Sequence, residues 1–139
     1  MADKHPNLFI VGAPKCGTTA WVNYLSSHED IFFSPAKEPH YFCEDFPNFR
    51  WAKTREDYLA LFEGAGNAKV IGEASVQYFN SELAAQNIHS FNPNAKILIF
   101  LRKQRDYLPS YHHQLLYNHD EVIEDFSKVW ALAKSKEPR

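Results

Sequence analysis

The segment that follows residue 7 constrains the fold of this chain more than any other. Residues 8–11 are a continuous apolar run that ends at Gly12, a pattern typical of a strand buried on both faces of a sheet. From Thr18 onward, apolar residues recur at the spacing of a helix. The predicted inner face of this helix consists of Trp21, Tyr24 and Leu25. Strand, glycine-containing loop and helix together predict the first unit of an α/β fold.

Three further apolar runs predict the rest of the sheet. They lie at residues 31–33, 70–73 and 96–101, and the last of them, KILIFL, is the strongest strand signal in the chain. Because predicted strands alternate with predicted helices, we expect a P-loop-like parallel sheet flanked by helices on both faces. Residues 34–51 are rich in prolines and aromatic residues and fit neither pattern, which indicates a long functional loop.

Capping and breaking residues predict where the other helices begin and end. Thr54 is a helix cap and Gly64 closes that helix. A second helix is expected to begin near Tyr107, because Pro109 fits only the first turn, and Asp120 and Glu121 open a final helix. The apolar stripes predicted for these helices are Tyr58, Leu61 and Phe62; Leu108, Tyr111 and Leu115; and Val122, Phe126 and Val129.

Length and charge restrict the class of protein. The 139 residues contain no linker or repeat, so we expect one domain over residues 1–139. A net charge of −2 provides no footprint for nonspecific nucleic-acid binding, and no apolar run is long enough for a membrane span. Two cysteines are too few for a disulfide scaffold, and the N-terminal residues do not resemble a signal peptide. We therefore expect a cytoplasmic protein.

The loop at residues 12–19 has the composition of a phosphate-binding site. It joins a predicted strand to a helix N-terminus, where backbone N–H groups and the helix dipole favour an anion. Its glycines are spaced as in the P-loop of nucleotide triphosphatases, but Thr18 occupies the lysine position and the lysine stands at Lys15. The strand at 96–101 ends in Arg102 instead of a carboxylate that could hold Mg²⁺. The loop therefore predicts a phosphate-ester site that works without a metal.

Four segments in order resemble a known family. Residues 14–19, PKCGTT, look like the 5′-phosphosulfate loop of sulfotransferases that use 3′-phosphoadenosine 5′-phosphosulfate (PAPS). Arg102, with Ser110 in the following predicted helix, is similar to the family's 3′-phosphate motif. Residues 37–42, KEPHYF, and 72–75, GEAS, resemble segments of its heparan sulfate and bacterial branch. The resemblance implies the N-terminal, donor-binding portion of a sulfotransferase, incomplete relative to the full family fold.

The resemblance also assigns roles in donor binding. Lys15 would bind the 5′-phosphate and stabilise the charge that develops as the sulfuryl group leaves, and no metal is expected. The residues that the resemblance implies for PAPS binding are Lys15, Cys16, Gly17, Thr18, Thr19, Arg102 and Ser110.

Glu38 is the predicted general base, because it matches the catalytic glutamate of the heparan sulfate branch. In a partly desolvated, aromatic loop, we expect its pKa to be raised toward neutrality. His40 is the rival base, since it lies on the same side of an extended segment. Glu73 and Ser75 end a predicted strand beside the site, where they either contact substrate or support it structurally.

The predicted function is in-line transfer of a sulfuryl group from PAPS to a hydroxyl or amine of a small-molecule or carbohydrate acceptor. Two alternatives stay open. One is a P-loop kinase or NTPase, which the absence of the usual lysine after Gly17 opposes. The other is a noncatalytic nucleotide-binding fragment, since sulfotransferases that carry these motifs are longer than 139 residues.

Overall fold

The computed structural model describes residues 4–135, which fall into two compact units that divide between Leu101 and Arg102. The first unit contains a four-stranded sheet. Its strands are β1 (Leu8–Gly12), β2 (Ile31–Phe33), β3 (Val70–Ala74) and β4 (Lys96–Ile99). Its helices are α1 (Thr18–Ser26), α2 (Arg55–Ala60) and α3 (Ala84–Phe91), with 3₁₀ turns at Glu63–Ala65 and Val76–Phe79.

The four strands are parallel and stand in the order β2-β3-β1-β4. In the register of the central strand β1, Phe9 faces Glu73 of β3 on one side and Ile97 of β4 on the other. The predicted parallel sheet is therefore confirmed. Because the strands are parallel, the loops that follow β1, β2 and β3 all leave from one edge, where α/β proteins place their ligands.

Two apolar cores lie on the two faces of the sheet, because successive side chains of β1 point to opposite sides. Phe9 and Val11 belong to one cluster, with residues of α2 and α3. Leu8 and Ile10 belong to the other, against which α1 packs. The prediction of helices on both faces is thereby confirmed.

Helix α1 begins at Thr18 as predicted, but its inner face differs from the prediction. Trp21 and Tyr24 are 45% and 69% exposed, whereas Thr18 is buried and Val22 and Leu25 pack against the core. Leu25 faces the core as predicted, and Thr18 and Val22 share its face at a spacing of i, i+4 and i+7. The short helix has two candidate apolar stripes, and aromatic bulk does not decide which one meets the sheet.

Helix α2 confirms one predicted boundary and corrects the other. The hydroxyl of Thr54 accepts a hydrogen bond of 3.1 Å from the N–H of Asp57, so Thr54 caps the helix as predicted. The helix ends at Ala60, and Gly64 lies inside the following 3₁₀ turn instead of closing α2. The backbone changes from an α-helix to a 3₁₀ turn before it reaches Gly64.

Strand β4 is shorter than the sequence predicts. It ends at Ile99, and within the described sheet it lies at the edge, with Ile97 and Ile99 46% and 52% exposed. The apolar run continues, and the N–H of Phe100 still donates to the carbonyl of Gly12 at 2.8 Å. The apolar run therefore predicted the strand correctly but overestimated its length.

The second unit contains α4 (Gln104–Tyr117) and α5 (Phe126–Ser135). Helix α4 begins before Tyr107, and Pro109 lies in its interior, so the predicted first-turn position is wrong. An interior proline removes one intrahelical hydrogen bond but does not prevent the residues before it from being helical. Tyr111, predicted to face inward, is 38% exposed, and His112 is the buried residue of this helix.

Helix α5 begins later than predicted. Glu121 does not open it; its carboxylate accepts hydrogen bonds from the N–H groups of Val122 and Ile123 in a nonhelical segment. The cap is Asp125, whose carboxylate accepts from the N–H of Ser127 at 2.9 Å. Val122, predicted for the apolar stripe, is 86% exposed. Acidic residues at both positions made the two starts indistinguishable in sequence.

Candidate functional site

Strand β1 ends at Gly12, where the candidate phosphate loop begins. The φ of Gly12 is 143°, a backbone conformation that residues other than glycine rarely adopt. A Cβ atom at this position would lie 2.7 Å from Cβ of Phe79. Gly17, at a φ of 82°, occupies the cap position of α1. Glycine is therefore required at one end of the loop by close packing and at the other by backbone conformation.

The N-terminus of α1 has the character of an anion site. Helix α1 has nine residues, its first turn carries no acidic residue, and no side chain of the described residues caps it. Its first N–H groups and the positive end of its dipole therefore favour an anion. A Cβ atom on Gly17 would meet nothing within 4 Å among the described residues, so the space beside Gly17 is open. This arrangement fits the phosphosulfate end of a nucleotide.

Lys37 joins this loop to the segment that follows β2. Its Nζ donates to Oγ1 of Thr19 at 2.9 Å and to Oε1 of Glu38 at 3.0 Å. One ammonium group thus contacts both the first turn of α1 and the predicted general base. The structure brings together residues that are far apart in sequence, as expected for the common edge of a parallel sheet.

The carboxylate of Glu38 is held on its other side by His40 and by the 3₁₀ turn that follows β3. Its Oε2 lies 3.0 Å from Nε2 of His40, an ion pair when the imidazole is protonated. The same oxygen accepts from the N–H of Val76 at 3.4 Å. Both candidate bases therefore belong to one cluster.

The predicted shift of the Glu38 pKa is wrong in direction. Partial burial raises the pKa of this carboxyl, but His40 and Lys37 lower it further than burial raises it, so the pKa lies below its ordinary value. The sequence indicated a desolvated loop but gave no sign that a cation and an imidazole would both reach the same carboxylate. Glu38 is therefore ionised at neutral pH.

The carboxyl with the raised pKa is Glu73. It is fully buried, and burial raises its pKa from 4.5 to about 6, although Ser75, Tyr58 and Tyr78 act in the opposite direction. Its Oε2 accepts from the hydroxyl of Tyr58 at 2.7 Å and from that of Tyr78 at 3.0 Å. Of the two roles left open for Glu73, this burial supports the structural one.

Sequence reasoning missed the hydroxyl groups of Tyr58 and Tyr78. Tyr58 was assigned only to an apolar stripe, yet both rings are buried with their hydroxyls on Glu73. The available signal was a glutamate at the end of an apolar strand, since a buried carboxylate requires donors.

The other predicted donor-binding residues lie in two places. Lys15 and Cys16 are in the loop before α1, both partly buried, and Lys15 adopts a left-handed φ of 60°. Arg102 and Ser110 belong to the second unit, where Arg102 precedes α4 and Ser110 lies within it. The assignment of these two residues to a 3′-phosphate stays a prediction.

Residues 4–135 contain no group of three or more His, Cys, Asp and Glu side chains arranged to hold a metal ion. Across the same residues, no helix has both the length and the apolar character needed to cross a membrane.

Comparisons with known proteins agree on one family. A model of the sulfotransferase domain matches residues 5–136. Carbohydrate sulfotransferase 15 from Homo sapiens is 31% identical over 70% of this chain and 25% of its own length. Bifunctional heparan sulfate N-deacetylase/N-sulfotransferase 1 from Xenopus laevis is 31% identical over 87% of this chain and 14% of its own length.

A solved structure supports the same assignment. The crystal structure of a sulfotransferase from Alicyclobacillus acidocaldarius matches with a TM-score of 0.81 and 34% identity, over 96% of this chain and 61% of that one. The chain therefore spans a quarter or less of the two curated relatives and about three fifths of the solved structure. With the family model covering nearly the whole sequence, the chain belongs to the sulfotransferase domain family.

Proposed function

We propose that this chain transfers a sulfuryl group from PAPS to a hydroxyl or amine of a carbohydrate acceptor. The observation that carries the proposal is the bridge made by Lys37, which links Thr19 at the phosphate loop to Glu38. A donor site and a proton acceptor therefore lie side by side. Relatives named for carbohydrate and heparan sulfate transfer favour a carbohydrate over other acceptors.

Donor binding is assigned to the loop between β1 and α1. The uncapped N–H groups of α1, Lys15, and the hydroxyls of Thr18 and Thr19 bind the 5′-phosphate end. Arg102 and Ser110 bind the 3′-phosphate, a role that rests on their motif alone. The absence of acidic residues from the first turn of α1 supports this assignment, because a carboxylate there would repel the nucleotide.

Glu38 is proposed as the general base, with His40 as its partner. The side chain of Glu38 is 22% exposed and that of His40 only 9%, so the carboxylate is the more accessible of the two. Its lowered pKa means that it is ionised and able to accept a proton at neutral pH. The buried imidazole of His40 then holds the carboxylate of Glu38 in position.

The reaction is an in-line displacement at sulfur. The acceptor oxygen or nitrogen forms a bond to sulfur while the bond from sulfur to the bridging oxygen of the 5′-phosphate breaks. The acceptor proton passes to Glu38, and the negative charge left on the phosphate is met by Lys15 and the α1 N–H groups. The products are a sulfated acceptor and 3′-phosphoadenosine 5′-phosphate.

Turnover is tested with labelled PAPS and a panel of unsulfated oligosaccharides that carry free hydroxyl and amino groups. We expect label to appear in at least one oligosaccharide without added Mg²⁺. Mg²⁺-dependent hydrolysis of ATP would instead favour the kinase alternative. Binding of 3′-phosphoadenosine 5′-phosphate with no transfer to any acceptor would favour the noncatalytic alternative.

The loop assignment predicts a specific loss of nucleotide affinity. Lys15→Ala should weaken binding of 3′-phosphoadenosine 5′-phosphate, measured by calorimetry, by about tenfold to a hundredfold, because a charge-assisted contact to phosphate is lost. The matched control is Lys69→Ala, which removes the same charge from the opposite edge of the sheet, where Lys69 pairs with Asp30 at 2.9 Å. Equal affinities in the two variants would contradict the assignment.

A further inference from the structure

A buried polar network lies behind the candidate base and has no direct part in the chemistry proposed above. Its centre is Glu73 at the end of β3, with 0% of its surface exposed. Two tyrosine hydroxyls donate to its Oε2, that of Tyr58 at 2.7 Å and that of Tyr78 at 3.0 Å. With no exposed surface, Glu73 cannot touch an acceptor, so any effect on the reaction must pass through its neighbours.

The network reaches the loop that carries Glu38. The hydroxyl oxygen of Tyr78 accepts a hydrogen bond of 3.3 Å from the backbone N–H of Phe42. Two residues earlier in that loop, the N–H of His40 donates to Oγ of Ser75 at 3.0 Å. Side chains from the end of β3 and the turn after it therefore hold two backbone groups just beyond the predicted base.

His40 shows that this segment needs such support. Its φ of 51° is in the left-handed region, which is unfavourable for a residue other than glycine. Its ring also contacts that of Tyr78, with centroids 6.3 Å apart. The conformation that places the His40 ring beside Glu38 is thus maintained by contacts from the β3 side.

The carboxylate determines which way the tyrosine hydroxyl points. An ionised carboxylate only accepts, so the hydrogen of the Tyr78 hydroxyl is directed toward Glu73 and the oxygen is left to accept from Phe42. A neutral amide in place of Glu73 presents donors as well as an acceptor and does not impose this orientation. The direction of the relay therefore depends on the identity of residue 73.

We infer that Glu73 and Tyr78 are positioning residues for sulfuryl transfer, which hold the loop at Phe42 so that Glu38 keeps its place beside Lys37 and His40. This inference rests on the proposed function of Glu38. It assigns to the buried network an effect on turnover and none on donor binding.

Tyr58 supplies a matched comparison. Its hydroxyl donates to the same oxygen of Glu73, and its ring is fully buried, but within residues 4–135 its hydroxyl makes no hydrogen bond to the loop backbone. Tyr58→Phe and Tyr78→Phe each remove one hydroxyl from Glu73 and keep the ring. Only Tyr78→Phe also removes the acceptor of the Phe42 N–H.

The test measures kcat, KM for PAPS and affinity for 3′-phosphoadenosine 5′-phosphate with the full chain and the oligosaccharide that the wild type sulfates. We expect kcat to fall about tenfold in Tyr78→Phe and by less than about twofold in Tyr58→Phe, with donor KM and product affinity unchanged in both. Glu73→Gln should follow Tyr78→Phe. Equal kcat values for the two tyrosine variants would overturn the inference.

Amide hydrogen exchange of the full chain separates this inference from the proposed function. The Phe42 N–H should exchange about tenfold faster in Tyr78→Phe than in Tyr58→Phe, because only the first variant removes its acceptor. If the wild type sulfates nothing, the proposed function fails, and the exchange rates still decide whether the relay exists. Equal protection of Phe42 in both variants would overturn the inference whatever the turnover.

Discussion

Glu38 lies in the loop that contains His40 and Glu73 lies in β3, and the pKa values of the two carboxyls shift in opposite directions. Glu38 is partly exposed and is paired with Lys37 and His40, which lower its pKa despite partial burial. Glu73 is fully buried among hydroxyl groups, and burial dominates. Hydroxyls donate hydrogen bonds but carry no charge, so they offset desolvation less than an ammonium group does. Glu38 is thereby suited to the proposed role of general base, and Glu73 to a structural role.

Glu73 should make folding stability depend on pH. An acid with a raised pKa contributes stability fully below its unfolded value of 4.5, and this contribution is lost as pH rises through about 6. Relative to Glu73→Gln, the wild type should lose about 2 kcal/mol in its free energy of unfolding between about pH 4 and about pH 7. Urea unfolding of both proteins across this range measures the difference.

Glu38 acts with the opposite sign, because its pKa is lowered, but it is present in both proteins and cancels in the comparison. A stability difference between wild type and Glu73→Gln that is constant with pH would show that the carboxyl is not desolvated as described. A difference that grows in favour of the wild type as pH rises would contradict the direction of the shift.

Among the elements, strands were the most predictable because their signal is local. The run at residues 8–11 and those at 31–33 and 70–73 each became a strand, since a continuous apolar stretch is compatible with burial on both faces. Helix boundaries were less predictable. Pro109 and Glu121 are compatible with a helix start, yet α4 begins earlier and α5 later than they suggest.

The junction of β1 and the phosphate loop should tolerate no side chain. In Gly12→Ala, the new Cβ would lie 2.7 Å from Cβ of Phe79 at a φ of 143°, so close packing and backbone strain combine. We expect a loss of about 2 kcal/mol or more in the free energy of unfolding. Urea unfolding measured at one pH is sufficient.

Gly64→Ala is the control for this substitution. Gly64 lies in the 3₁₀ turn after α2, and a Cβ there would meet only the ring of Phe32, with Cε2 at 3.4 Å and Cζ at 3.6 Å, which are ordinary contacts. Its cost should not exceed about 1 kcal/mol. If Gly12→Ala unfolds at the same urea concentration as Gly64→Ala, the close approach of Phe79 to β1 is not as described.

For the whole molecule, the candidate site was partly predictable. The phosphate loop is contiguous in sequence, so glycine spacing and the strand-to-helix context were enough to locate it. The contact of Lys37 with Thr19, and of Tyr58 with Glu73, depends on how elements that are distant in sequence pack together. A single sequence does not show which distant residues come into contact. The motifs therefore predicted candidate site residues but not their hydrogen-bond partners.

Charge is also distributed in a way that the net value of −2 conceals. The first turn of α1 carries no acidic residue, and the ammonium group of Lys37 donates a hydrogen bond to Oγ1 of Thr19 in that turn. The proposed recognition of an anionic donor is therefore local, by oriented N–H groups and nearby ammonium groups, while the bulk of the protein stays close to neutral.

The measurement that tests the central claim most directly compares wild type and Glu38→Gln for two properties, sulfuryl transfer from labelled PAPS and calorimetric affinity for 3′-phosphoadenosine 5′-phosphate. The substitution keeps the size of the side chain and removes the proton acceptor, so transfer should fall by at least about a hundredfold while nucleotide affinity stays within about twofold. Transfer that persists at the wild-type rate in Glu38→Gln would contradict the account of Glu38 as the base.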